Sequence, residues 1–182
     1  MCRGAEGRGA MLESMDESAT VLSIVSQYRA SLAMVKHVVH ACPEDFWLST
    51  GYRNRFWHIA YHALFFAHLY VQASAADFKP WTGHKPDSQF LGLPPWAPNE
   101  PFVLPAPYSK GEVMEYHDFC CQEVAAKVSA IRLDADSGFD WLPFDRFEAH
   151  LYNIRHIQHH TGQLADRLRT ALNIATPWVP KG

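Results

Sequence analysis

The stretch FWHIAYHALFFAHLYVQA, from Phe56 to Ala73, decides the fold. It contains no Asp, Glu, Lys or Arg, yet it carries His58, His62 and His68. A membrane-spanning helix needs about 20 mostly apolar residues, and polar groups within it are costly. A helix that is apolar nearly all round but interrupted by imidazoles is instead expected to lie among other helices of a soluble protein. The reading places this second helix from about Arg53 to Ala75 and makes it the most buried element.

On its N-terminal side, Val21, Ile24, Val25, Tyr28, Leu32, Val35 and Val39 recur at three- and four-residue steps. This is the helical period, and it predicts a first helix over 18–41. Cys42-Pro43 ends it, because proline disfavours helix in the residue before it. Ahead of it, the Gly/Arg-rich start MCRGAEGRGA suggests a flexible lead-in over 1–16.

On the C-terminal side, the texture changes from Ala76 to Tyr108, where eight of the twelve prolines fall. A connection of about 30 residues is unusually long and tends to be functional when ordered. Its aromatic residues, Trp81 and Trp96 among them, suggest that it packs over the body. Ser109 and Glu112 form a Ser-x-x-Glu capping box that opens a third helix, expected to run to about Ile131. Asp134 to Pro143 reads as a turn containing Gly138. Phe144 or Asp145 opens a fourth helix to about Asn173, and Pro177 and Pro180 close the chain. The expected fold is all-α: a mostly antiparallel four-helix bundle with a long proline-rich connection between helices 2 and 3. At 182 residues the chain holds one domain, over 17–182.

Sixteen basic against nineteen acidic residues give a net charge of −3, which argues against a nucleic-acid-binding module. Four cysteines do not make a disulfide scaffold: Cys120 and Cys121 are adjacent, which is poor geometry for a bridge. The first 30 residues lack the charged start, apolar run and cleavage site of a signal peptide. The expected compartment is therefore the reducing cytoplasm.

Eleven histidines are the outlier in composition. The fourth helix carries RHIQHHTGQLADRL at 155–168. His156 and His160 stand four apart, one above the other on a helix face, where two imidazoles can grip one metal ion at about 2.0–2.1 Å. The apolar arc of this helix centres on Ile154, Ile157, Leu164 and Leu168. The pair sits at its rim, with Gln163 one turn on. His58 and His62 are likewise four apart, in the most apolar helix. A buried imidazole needs a partner for its polar atoms, which a metal or a hydrogen bond can supply. His159 is a candidate for lining the site. His37 and His40 read as a solvated edge, and His68, His84, His117 and His150 as ordinary histidines. The Glu-x-x-His of di-iron bundles, the zinc-protease His-Glu-x-x-His, the Gly-x-Ser-x-Gly elbow and the glycine-rich phosphate loops are all absent.

The segment RHIQHHTGQLADRL resembles the His-x-x-His-His-x-Gly-Gln signature of the DinB-like family, and FWHIAYHALFFAHLYV at 56–71 resembles that family's histidine-bearing second helix. The likeness covers roughly 18–174. It implies a metal-binding four-helix bundle whose ligands are His62, His156 and His160, with His58, His159 and Gln163 nearby. It further implies a divalent metal such as zinc or nickel. Characterised relatives include S-transferases and isomerases that use bacillithiol, mycothiol or glutathione. The expected function is thus a metal-dependent enzyme of thiol-transfer or hydrolytic type acting on a small molecule, with no nucleic-acid or membrane partner. The alternative is a non-catalytic bundle in which the metal is structural or sensory. A homodimer is left open, and the long loop departs from the compact family pattern.

Overall fold

The computed structural model describes residues 6–93, 103–130 and 132–182, with side chains from residue 17 onward. Among the described residues it is all-helical, with only an isolated bridge pair between Asp136 and Asp145. The helices are α1 (Glu6–Ala41), α2 (Glu44–Trp47), α3 (Phe56–Leu69), α4 (Lys110–Lys127) and α5 (Arg146–Leu172). α1 begins ahead of the stretch that the apolar period marks. The expected lead-in over 1–16 lies outside the residues whose side chains are described. α1 and α3 each pack against both α4 and α5. No helix among the described residues is long and apolar enough to cross a membrane.

The core forms where the apolar stripes meet. Ile24, Val25, Tyr28, Leu32, Val35 and Val39 of α1 are buried, as their period requires. Twelve of the fourteen residues of α3 are buried, so it is the helix most enclosed by the others. The two exceptions, His62 and Phe66, are half-buried and lie one turn apart on the same face. After Pro43 the chain makes the short α2, whose buried Trp47 donates its indole N–H to the Tyr108 carbonyl at 2.8 Å.

The second helix is shorter than expected: it spans Phe56–Leu69, not 53–75. Arg146, at the start of α5, explains its end. This guanidinium is buried and donates to the backbone carbonyls of Gln72, at 2.8 Å, and Ala73. The Gln72 side chain turns back to the His68 carbonyl, and the Ala75 N–H goes to the Gly138 carbonyl. Backbone groups that a longer helix would use internally are thus spoken for by another part of the chain. Gly138 has φ +81°, and a Cβ there would collide with the Ala73 carbonyl oxygen. Gly138→Ala is expected to destabilise the fold by about 2 kcal/mol or more, read as a lowered urea midpoint.

The capping box is present: the Ser109 hydroxyl accepts from Glu112 N at 3.1 Å, and Glu112 returns a bond to Ser109 N at 2.7 Å. α5 opens on Asp145, whose carboxylate accepts from Glu148 N. It closes on Asn173 in the left-handed conformation that asparagine tolerates. Residues 94–102 of the long connection lie outside the described residues. Its described part packs inward. Trp81 stacks on Tyr116, Phe78 lies against Phe65 and His68, and His84 Nδ1 meets the Tyr61 hydroxyl at 2.7 Å.

Candidate metal centre

α3 and α5 pack side by side, and this brings three histidines to one point. His62 comes from α3, and His156 and His160 come from consecutive turns of α5. Their Nε2 atoms converge: His62 to His156 is 3.1 Å, and His160 to His156 is 3.2 Å. All three ligand atoms lie within 4.8 Å of one another. Donors held ~2.0–2.1 Å from one ion are roughly 2.9–3.4 Å apart at neighbouring vertices of a tetrahedron or octahedron. These two separations fall in that range and the third pair lies within 4.8 Å, so the donor set can hold a divalent ion.

The far side of two rings is fixed. His62 Nδ1 donates to the Gln89 carbonyl at 2.6 Å, and His160 Nδ1 donates to Gln163 Oε1 at 2.9 Å. Gln163 is turned that way because its own amide nitrogen meets His159 Nε2 at 3.1 Å. A carbonyl oxygen can only accept, so the proton of each neutral ring sits on Nδ1 and the Nε2 lone pair faces the common point. His156 Nδ1 is buried with no hydrogen-bond partner among the described residues.

Protonation follows from burial. Desolvation pushes His62 down to about 2, aided by its histidine neighbours, and pushes His156 down to about 3. Burial also lowers His160, against the opposing pull of its bond to Gln163. All three rings are therefore neutral near pH 7, the state a metal requires. Among the described residues, no carboxylate joins the group. Phe66 lies 4.8 Å from His62 and 5.3 Å from His156, ring centre to ring centre, and Tyr152 stacks beyond His156.

The remaining candidates separate cleanly. His58 does not join the cluster. It is buried against Trp57 and bonds to the backbone at Ser88 and Phe90, on either side of the Gln89 carbonyl that holds His62. Its contact is thus with the segment that orients His62. Gln163 and His159 sit behind His160, as described. His37 and His40 are exposed. His68, His117 and His150 are buried with hydrogen-bond partners of their own. The cysteines Cys42, Cys120 and Cys121 are free thiols, and burial pushes Cys120 up, away from nucleophilic use.

Comparison of the chain with family models, curated proteins and solved structures returned no match. The reading of the centre therefore stands on its own geometry. Gln89 is the contributor that sequence reasoning missed. It acts through a backbone carbonyl, which every residue type carries, so only the unusual length of its loop could have hinted at it. Replacing Gln163 by Ala is expected to weaken zinc binding about 10- to 100-fold, the usual effect of freeing a ligand histidine from its anchor. Competition against a chelating dye measures this directly.

Proposed function

We propose that the chain is a divalent-metal-binding four-helix bundle of the DinB-like type. We read it as a cytoplasmic enzyme that uses the metal to transfer or hydrolyse groups on a small molecule. The bundle assignment is supported by the packing of α1 and α3 on both α4 and α5. The single observation that carries the functional reading is the convergence of three Nε2 lone pairs on one point, two of them locked from behind.

His62, His156 and His160 would hold the ion, zinc or nickel. When bound it supplies Lewis acidity, which makes a water or a thiol more acidic toward neutral pH. The chain's own part is to keep the rings neutral, to fix their tautomers through Gln89 and Gln163, and to shield one side with Phe66 and Tyr152. Three protein ligands suit a catalytic site, whereas structural zinc is normally enclosed by four. A low-molecular-weight thiol is the proposed co-substrate.

The test is metal analysis of the purified protein, then an activity screen with thiol cofactors and each metal. Chelation is expected to remove turnover while leaving the helical circular dichroism, because the apolar core from Ile24 to Leu168 packs without the ion. Cooperative unfolding on chelation would replace the enzyme reading by that of a structural metal.

A further inference from the structure

Beyond the histidine centre, the same end of α3 and α5 gathers arginines. Arg167 follows His160 by seven residues, two turns on and within about 20° on the same stripe, roughly 10 Å further along the axis. It is half-buried, its guanidinium lies over the Tyr52 ring at 4.3 Å, and one N–H is anchored on the Asn54 carbonyl at 2.7 Å. An arginine has five N–H donors in a fixed fork. The others of Arg167 have no acceptor among the described residues, and it forms no ion pair there. Burial lowers the pKa of Arg167, and Tyr52 opposes that shift.

Arg53, one residue before Asn54, reaches toward Gly92: a Cβ on that glycine would lie 3.8 Å from the Arg53 Nη2 atom. Gly92 is three residues from Gln89, which holds His62, so the span between them is at most about 10 Å. Arg53 also forms no ion pair among the described residues. Arg55, at the N-cap of α3, acts on His58 and adds to the positive field.

An oriented, half-desolvated guanidinium with unused donors and no carboxylate paired with it is suited to a planar anion. We propose that Arg167, with Arg53, binds a carboxylate of the thiol substrate whose sulfur lies at the histidine centre. The proposal rests on the metal reading above and adds a substrate class to it. Among thiols that reach the centre, the arginine pair favours those that carry a free carboxylate over those that do not.

The experiment uses cobalt-loaded full-length protein and follows the sulfur-to-cobalt absorption band as thiol is added. The probes are glutathione and its diethyl ester, which share the thiol but differ in carboxylate charge. Glutathione is expected to bind at least about tenfold tighter than the ester, the scale of one charged hydrogen bond. Arg167→Gln and, separately, Arg53→Gln should erode that preference while cobalt stoichiometry and ester affinity stay unchanged. Arg53 is exposed, so its variant keeps the test open if Arg167→Gln folds poorly. Equal affinity for the two probes, or a preference that survives both substitutions, overturns the proposal and leaves the metal reading standing. A protein that takes up no cobalt overturns the metal reading and this proposal with it.

Discussion

Purified protein carrying His156→Ala or His160→Ala should contain no stoichiometric zinc, where the unaltered chain is expected to hold one ion. Either change removes one of three convergent nitrogens and leaves two donors on different helices. The affinity loss should exceed the roughly 100-fold that loss of an orienting partner alone can cause. His62→Ala should do the same. His58→Ala is the discriminating control, because His58 bonds to the backbone of the 88–90 segment and not to the common point. It should keep the metal, with affinity reduced at most to the extent that the Gln89 carbonyl shifts. Metal lost from His58→Ala and retained in His62→Ala would reverse the assignment. Metal content unchanged in both α5 variants would remove the centre altogether. All four side chains lie in or near the core, so helical circular dichroism must be recorded for each variant.

What the sequence made legible was periodicity. The stripe from Ile24 to Val39 and the all-round apolarity of 56–69 both follow from local spacing, and both are buried as expected. The His156/His160 pair was legible for the same reason, since a four-residue step on a helix places two rings together whatever surrounds them. His58 and His62 have that same spacing, so spacing could not choose between them. The choice lies in a contact 27 residues away in sequence, the bond from His62 to Gln89. The end of α3 was hidden likewise. Nothing near Gln72 announces that Arg146, 74 residues on, will take its carbonyl. Arg146 itself runs against local rules, since a cation at a helix N-terminus opposes the macrodipole. The backbone carbonyls of Gln72 and Ala73 offset that penalty, and they are visible only in the folded chain.

Acid should unfold the protein well above the pH at which its carboxylates titrate. His58, His68 and His150 are buried, and desolvation pushes each down to about 4. The positive charge of Arg146 pushes His150 the same way, while Glu123 partly opposes the shift of His68. In the unfolded chain each ring titrates near 6.5. Above that value both states are neutral and the full stability is present. As pH falls from 6.5 toward 4, the unfolded chain binds protons that the folded chain refuses, so stability is lost across that window. A shift of this size corresponds to roughly 3 kcal/mol per histidine at the acid end. Three such groups together approach the 5–15 kcal/mol that typically separates folded from unfolded domains. The urea midpoint of the metal-free protein should therefore fall steeply between about pH 6.5 and pH 4. His68→Gln, which keeps a hydrogen-bonding side chain toward Tyr116 without the titrating ring, should flatten that fall by about one fifth of its depth or less, because the buried His62 and His156 refuse protons over the same window once the metal is gone. A urea midpoint that holds steady from neutral pH down to about 4.5 would mean that these rings are protonated in the folded state, and the buried neutral histidines would have to be given up.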